Sequence, residues 1–171
     1  MQMSNLNKID PCQLNKSTFQ LIGKDWMLIT AEKDGKANTM TASWGGFGVM
    51  FRKNVAYIVL RPQRYTKEFI DGSNKFSLSF LDDSFRDTLN YLGTVSGRNE
   101  NKIQKSNLTL SHYKNIPYFE EAKLVITCKK LYAQTFDQKS FVETSIIDEC
   151  YPKRDFHTLY ISEIEDILEK K

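Results

Sequence analysis

Asn38–Lys67 reads NTMTASWGGFGVMFRKNVAYIVLRPQRYTK. Its centre, Val55–Leu60, is an almost unbroken apolar run of strand length, so a buried strand is expected there. Pro62 ends it. Upstream, NTMTAS alternates, placing Met40 and Ala42 on one face and Thr39, Thr41 and Ser43 on the other. A row of hydroxyls suits a solvent face or a ligand cleft equally. Downstream, RPQRYT sets Arg61, Arg64, Tyr65 and Thr66 within six residues. Guanidinium forks, hydroxyls and backbone N–H groups are what a phosphate ester needs. Thr66 is expected to cap a helix over residues 67–71, with Gly72 just past its end. That helix end would add its own attraction for an anion. Two arginines after a strand also fit a solvated edge or ordinary ion pairs. Gly45, Gly46 and Gly48 match no phosphate-loop spacing and read as a turn or bulge between strands.

Working outward, Met27–Lys33 reads as a strand, and Asp34-Gly35 turns it back into a second strand over Ala37–Ser43. FSLSF, residues 76–80, alternates as a half-buried strand. Asp82, Asp83 and Ser84 offer N-caps to a short helix carrying Phe85, Leu89 and Leu92 and ending near Gly93. Residues 93–107 are polar and aperiodic, a long loop. Residues 123–135 form a long alternating strand with Leu124, Ile126 and Cys128 on one face, where a buried, inert thiol is expected. A short helix is expected near Ser145–Cys150, and a last strand over Asp155–Ile164. Residues 1–18 read as a polar, extended arm. The pattern is mainly β, with short hairpins and brief helices, which suits an antiparallel barrel.

The 171 residues suit one domain, and 40% apolar content with 11 Phe and 8 Tyr supports a core without staples. Net charge is +3, with basic and acidic residues interleaved, which argues against nucleic acid as a partner. No stretch has the length of a membrane span, and no export signal is read at the start. The three cysteines lack C-x-x-C spacing and are expected to be reduced cytoplasmic thiols. His112 and His157 have no partner at ligand spacing, so no metal is expected.

NTMTASWGGFG followed by VLRPQRYTKEFI resembles the flavin reductase-like family, the FMN-binding split barrels that include flavoredoxin. Later stretches are similar too: Ser96-Gly97-Arg98-Asn99 with Lys102, where the family tends to carry SGRD; then FEEA, CKKLY and FDQKSF; and DFHTLYISEI, where Ser162 replaces a glycine. The likeness spans roughly residues 20–168. It implies one split β-barrel domain of Greek-key type over residues 1–171, a homodimer, and FMN at the subunit interface. It further implies that Arg61, Arg64 and Thr66 hold the phosphate with Tyr65 nearby, that Met40, Thr41, Ala42, Ser43 and Trp44 run beside the flavin ring, and that Asn38 also contacts the cofactor. Ser96, Gly97 and Lys102 are further candidates, reaching a flavin across the dimer. No side chain is expected to be catalytic, since hydride passes from nicotinamide to flavin directly; His157 reads as structural or site-lining. The implied activity is an FMN-dependent oxidoreductase reducing flavin with NADH or NADPH. The alternatives are an electron carrier of flavoredoxin type serving protein partners, and a split-barrel binder of another ligand such as haem.

Overall fold

The computed structural model describes residues 6–171. Ten strands and four α-helices follow in order: β1 (Leu6–Ile9), β2 (Met27–Lys33), β3 (Lys36–Ala42), β4 (Gly45–Met50), β5 (Lys53–Leu60), α1 (Tyr65–Gly72), β6 (Lys75–Phe80), α2 (Arg86–Thr94), α3 (Lys102–Lys105), β7 (Leu110–Tyr113), β8 (Ile116–Phe119), β9 (Leu124–Thr135), α4 (Ser145–Cys150) and β10 (Thr158–Lys170). A π-helical stretch over Phe19–Asp25 precedes β2.

The main sheet runs β3-β2-β6-β9-β10-β5-β4, and every pairing is antiparallel. The connection from β3 to β4 dictates its shape. A flat sheet of these strands would separate its edges by about 29 Å, at about 4.8 Å per strand. Yet only Ser43 and Trp44 join β3 to β4, a reach of roughly 10 Å. The sheet must therefore curl until its two edges meet. They meet without pairing, so the barrel is split, and the split lies at Ala42–Gly45.

β10 makes the curvature possible. It pairs β5 through Thr158–Glu163, then β1 through Ile167–Lys170. Against β9 its register slips at Ile161/Ser162 and at Ile164/Asp166, and such bulges bend a strand and raise its twist. Asp166 is buried at the second slip, bridged to Lys8 on β1 and, at 2.7 Å, to Lys114 beside β7.

The barrel interior is filled by Met27, Ile29, Ala31, Ile58, Leu60, Phe76, Leu78, Phe80, Ile126 and Cys128, among others. A second core lies outside β2, β6 and β9, where Leu28 and Val125 meet Leu89 and Leu92 of α2 and Tyr118 and Phe119 of β8. This covering layer corrects the half-buried reading of β6. Ser77 and Ser79 are fully buried, and Ser77 donates to the Pro117 carbonyl at 2.5 Å. Cys128 is buried as expected, and burial pushes its thiol up, far from reactivity.

Three further expectations change. Gly45–Met50 is a strand, not a turn; the turn is Phe51-Arg52, both with positive φ. Gly45 has φ +147, and a Cβ there would lie 2.5 Å from the Tyr57 carbonyl on β5, so the strand pair can close only over glycine. α1 begins at Tyr65 and includes Gly72, with Arg64 in the cap position and no side-chain cap bond. α2 likewise starts at Arg86 after a 3₁₀ turn, without the capping bond expected from Asp82, Asp83 or Ser84. Of the 1–18 arm, residues 1–5 lie outside the described residues, while Leu6–Ile9 is extended and paired to β10.

Candidate functional site

The split in the barrel opens a cleft of about 310 Å³ between β3, the Ser43-Trp44 link, α2 and the start of β10. A hollow of about 210 Å³ adjoins it and shares Met40, Arg61, Arg64 and Thr94. Together they form a groove with two unlike ends.

One end is cationic. Arg64 donates to the Gly93 carbonyl at 2.7 Å. Lys102, only 3% exposed, donates to the carbonyls of Leu92 at 2.7 Å and Val95 at 2.9 Å. These carbonyls lie at the C-terminus of α2, the negative end of its dipole, which orients both cations. Among the described residues neither cation has a carboxylate partner. Burial, and secondarily Arg64, lower Lys102 from 10.5 to about 8. Burial, and then Arg61, lower Arg64 as well. Arg61 differs: it pairs with Asp155 at 2.8 Å and donates to the Cys150 carbonyl at 2.8 Å. Thr66 does not cap the helix; its hydroxyl accepts from the Asn38 amide at 2.9 Å and keeps its own hydrogen for another acceptor.

The other end is neutral and aromatic. Trp44, 45% exposed, lies with its ring centroid 5.0 Å from that of His157. His157 is buried, and its Nδ1 bonds the Tyr151 hydroxyl at 2.8 Å. Burial, reinforced by Arg61, pushes the imidazole down to about 4, so it is neutral at pH 7. Thr41 is less available than its position suggests, because its hydroxyl donates to the Leu89 carbonyl at 2.6 Å.

Against this geometry, the family model of the flavin reductase like domain matches residues 20–171. The chain belongs to that family. Solved structures resemble this flavin reductase-like chain over nearly its whole length. An FMN-binding flavin reductase-like protein from Shewanella baltica OS155 superposes with a TM-score of 0.72 at 18% identity, covering 98% of this chain and 78% of that one. A flavoredoxin from Methanosarcina acetivorans gives 0.66 at 20%, covering 95% and 77%. The flavin reductase PheA2 gives 0.61 at 17%, covering 84% and 77%. At these identities the likeness establishes the fold, a mainly antiparallel split barrel. No curated protein gives a significant match.

The structure gathers every candidate residue of this flavin reductase-like chain into the one groove. Met40, Thr41, Ala42, Ser43 and Trp44 line the first cleft with Arg61 and Arg64. Asn38, Tyr65, Thr66, Ser96, Gly97 and Lys102 line the second hollow with the same two arginines. Lys102 and Ser96 therefore reach the groove of their own chain. Sequence reading missed Trp26, Asn90 and Thr94. Asn90 and Thr94 follow from α2's periodicity once one face is known to be buried. Trp26, with φ +69 and Arg86 stacked 4.1 Å from its ring centroid, left no local signal.

No cluster able to hold a metal ion occurs among the described residues. No described helix is long and apolar enough to cross a membrane.

Proposed function

We propose that the protein is an FMN-binding oxidoreductase that reduces flavin with NADH or NADPH. The observation that carries this reading is buried Lys102 beside half-buried Arg64, neither with a carboxylate partner among the described residues, joined by one groove to a neutral aromatic end. A buried ammonium and a half-buried guanidinium with no counter-charge are costly unless an anion completes them. A phosphate monoester supplies that anion, and a flat conjugated ring suits the Trp44 end. FMN carries both at opposite ends of one molecule. When bound, it supplies a ring that takes up hydride and passes electrons on.

The residues present fit it. Arg64, Lys102 and the free hydrogen of Thr66 would hold the phosphate, with backbone N–H groups near Ser96 and Gly97 beside them. Asn38 orients Thr66. Met40–Trp44, at the barrel split, would border the ring. Neutral His157 lines that end without adding charge. No side chain is required as a proton donor.

We also propose a homodimer. The outer face of β4, β5 and β9 exposes Met50, Tyr57, Leu131 and Tyr132, and an apolar groove there shares Trp44 and Val59 with the cleft. Such a patch marks an association surface. The same face favours a second reading, an electron carrier whose protein partner docks beside the ring. A visible spectrum of the purified protein, before and after anaerobic addition of NADPH and NADH, separates these. A yellow protein that bleaches quickly supports the reductase, and one that stays yellow supports the carrier. A colourless protein that takes up no FMN overturns both.

A further inference from the structure

The loop over residues 95–101 carries Ser96 and Gly97 to the cationic end and delivers Lys102. It is polar and has no apolar side chain to anchor it beyond Val95. Arg98 anchors it instead. Its Nη1 donates to the Gln63 carbonyl at 3.1 Å, its Nη2 pairs with Glu68, and its guanidinium lies 4.6 Å from the Tyr65 ring centroid. All three partners belong to the segment from Gln63 into α1, the segment that also holds Arg64 and Thr66. Next to it, Gly97 rests on Asn38 so closely that a Cβ would lie 2.2 Å from the Asn38 Oδ1. Asn38 is itself bonded to Thr66. Beyond the bond from Lys102 to the Val95 carbonyl, the loop is thus held over the cationic end by the Gly97–Asn38 contact and by Arg98. Arg98 does not line the cationic hollow; it lines an adjoining outer one of about 630 Å³, on the side of the loop with Lys36 and Gln104, which shares Asn38, Gly97 and Lys102 with it.

We infer that Arg98 is a positioning residue that sets how long the flavin is retained, by latching the 95–101 loop onto the phosphate-binding segment without touching the phosphate. This rests on the FMN reading above. The Arg98–Glu68 pair is half exposed and so weakened by salt, whereas the stack on Tyr65 and the bond to Gln63 persist. Lysine can keep the ion pair but neither the stack's planar fit nor the second bond.

The test is the dissociation rate of FMN and of riboflavin from full-length protein, measured by stopped-flow displacement, with melting temperatures recorded alongside. Arg98→Ala should speed FMN release by at least about tenfold and riboflavin release by no more than about threefold, because interface changes act mainly on the off-rate. Arg98→Lys should fall between. Glu68→Ala is the decisive variant. As half of a latch, its loss speeds FMN release. If Arg98 instead bound phosphate directly, removing Glu68 would free the guanidinium and delete a nearby negative charge, so release would slow. Slower release from Glu68→Ala, or wild-type release from Arg98→Ala, overturns the latch while leaving the flavin reading intact. Failure of the wild-type protein to take up FMN overturns both.

Discussion

Replacing Lys102 with methionine should stabilise the apo protein while weakening FMN. The residue is 3% exposed, and burial, then Arg64, lower its pKa from 10.5 to about 8. At about 1.36 kcal/mol per unit, holding it charged in the empty site costs roughly 3 kcal/mol at pH 7. Because the folded pKa is the lower one, this cost is fully present below pH 8. It fades as pH rises from about 8 to 10.5. Methionine keeps the stem and removes the charge, but strips a donor from the Leu92 and Val95 carbonyls, at about 1 kcal/mol each. The net gain is about 1 kcal/mol, or roughly 2–4 °C in Tm for a chain of this size. FMN should lose a charge-assisted contact, about 1.5–3 kcal/mol or roughly 10- to 150-fold in Kd, and riboflavin far less. Differential scanning calorimetry from pH 7 to 10 and fluorescence titration with both ligands measure this. The stability advantage of the variant should shrink as pH rises. A variant less stable than wild type at pH 7, or one that loses FMN and riboflavin equally, refutes the reasoning.

Arg64→Ala should raise the FMN Kd roughly 10- to 100-fold with little effect on riboflavin. Arg61→Ala should do less, because Arg61 already spends its charge on Asp155; equal losses in titration would contradict that ranking. Asp155→Asn should tighten FMN by a few-fold and steepen the salt dependence of its on-rate, and weaker binding would show that Arg61's placement matters more than its charge. His157 should give no NMR titration between pH 5 and 8. Its folded pKa of about 4 lies below the ordinary 6.5, so stability should fall as pH drops from about 6.5 to 4. Relative to His157→Asn that loss should approach roughly 3 kcal/mol in urea unfolding.

Local signals carried the fold where neighbours in sequence decide the structure. Asp34-Gly35 closes the β2–β3 hairpin with both residues at positive φ, as the dipeptide implies. Val55–Leu60 is a strand because β-branched residues need nothing distant to say so. The misses share a different cause. FSLSF looks half exposed until the β7–β8 hairpin, itself unread, arrives to cover Ser77. Glycines 45 and 46 look like a turn, but glycine there answers to Tyr57 on the next strand. Thr66 has capping chemistry and is claimed instead by Asn38, 28 residues earlier. The candidate residues that line the groove could be picked out because they cluster in motifs. Arg98 sat inside one of those motifs, yet its role depends on Glu68, 30 residues away.

The pairing pattern of the groove's charges argues for the kind of anion it takes. Three cations line the hollow, Arg61, Arg64 and Lys102. Asp155 neutralises one, and Gln63 donates to that carboxylate as well, holding it on Arg61. The remaining charge is +2 on Arg64 and Lys102. A phosphate monoester carries about −1.5 to −2 at pH 7. A carboxylate would leave one of the two cations uncompensated, whereas a pyrophosphate within the same walls would bring excess negative charge. The match therefore favours a terminal phosphate, with the conjugated part of the molecule lying toward Trp44. Asp155 is placed to keep it so. It borders His157 as well as Arg61, so the carboxylate that trims the cationic end also softens the positive field on the imidazole at the ring end. Losing it would unbalance both ends of the groove at once.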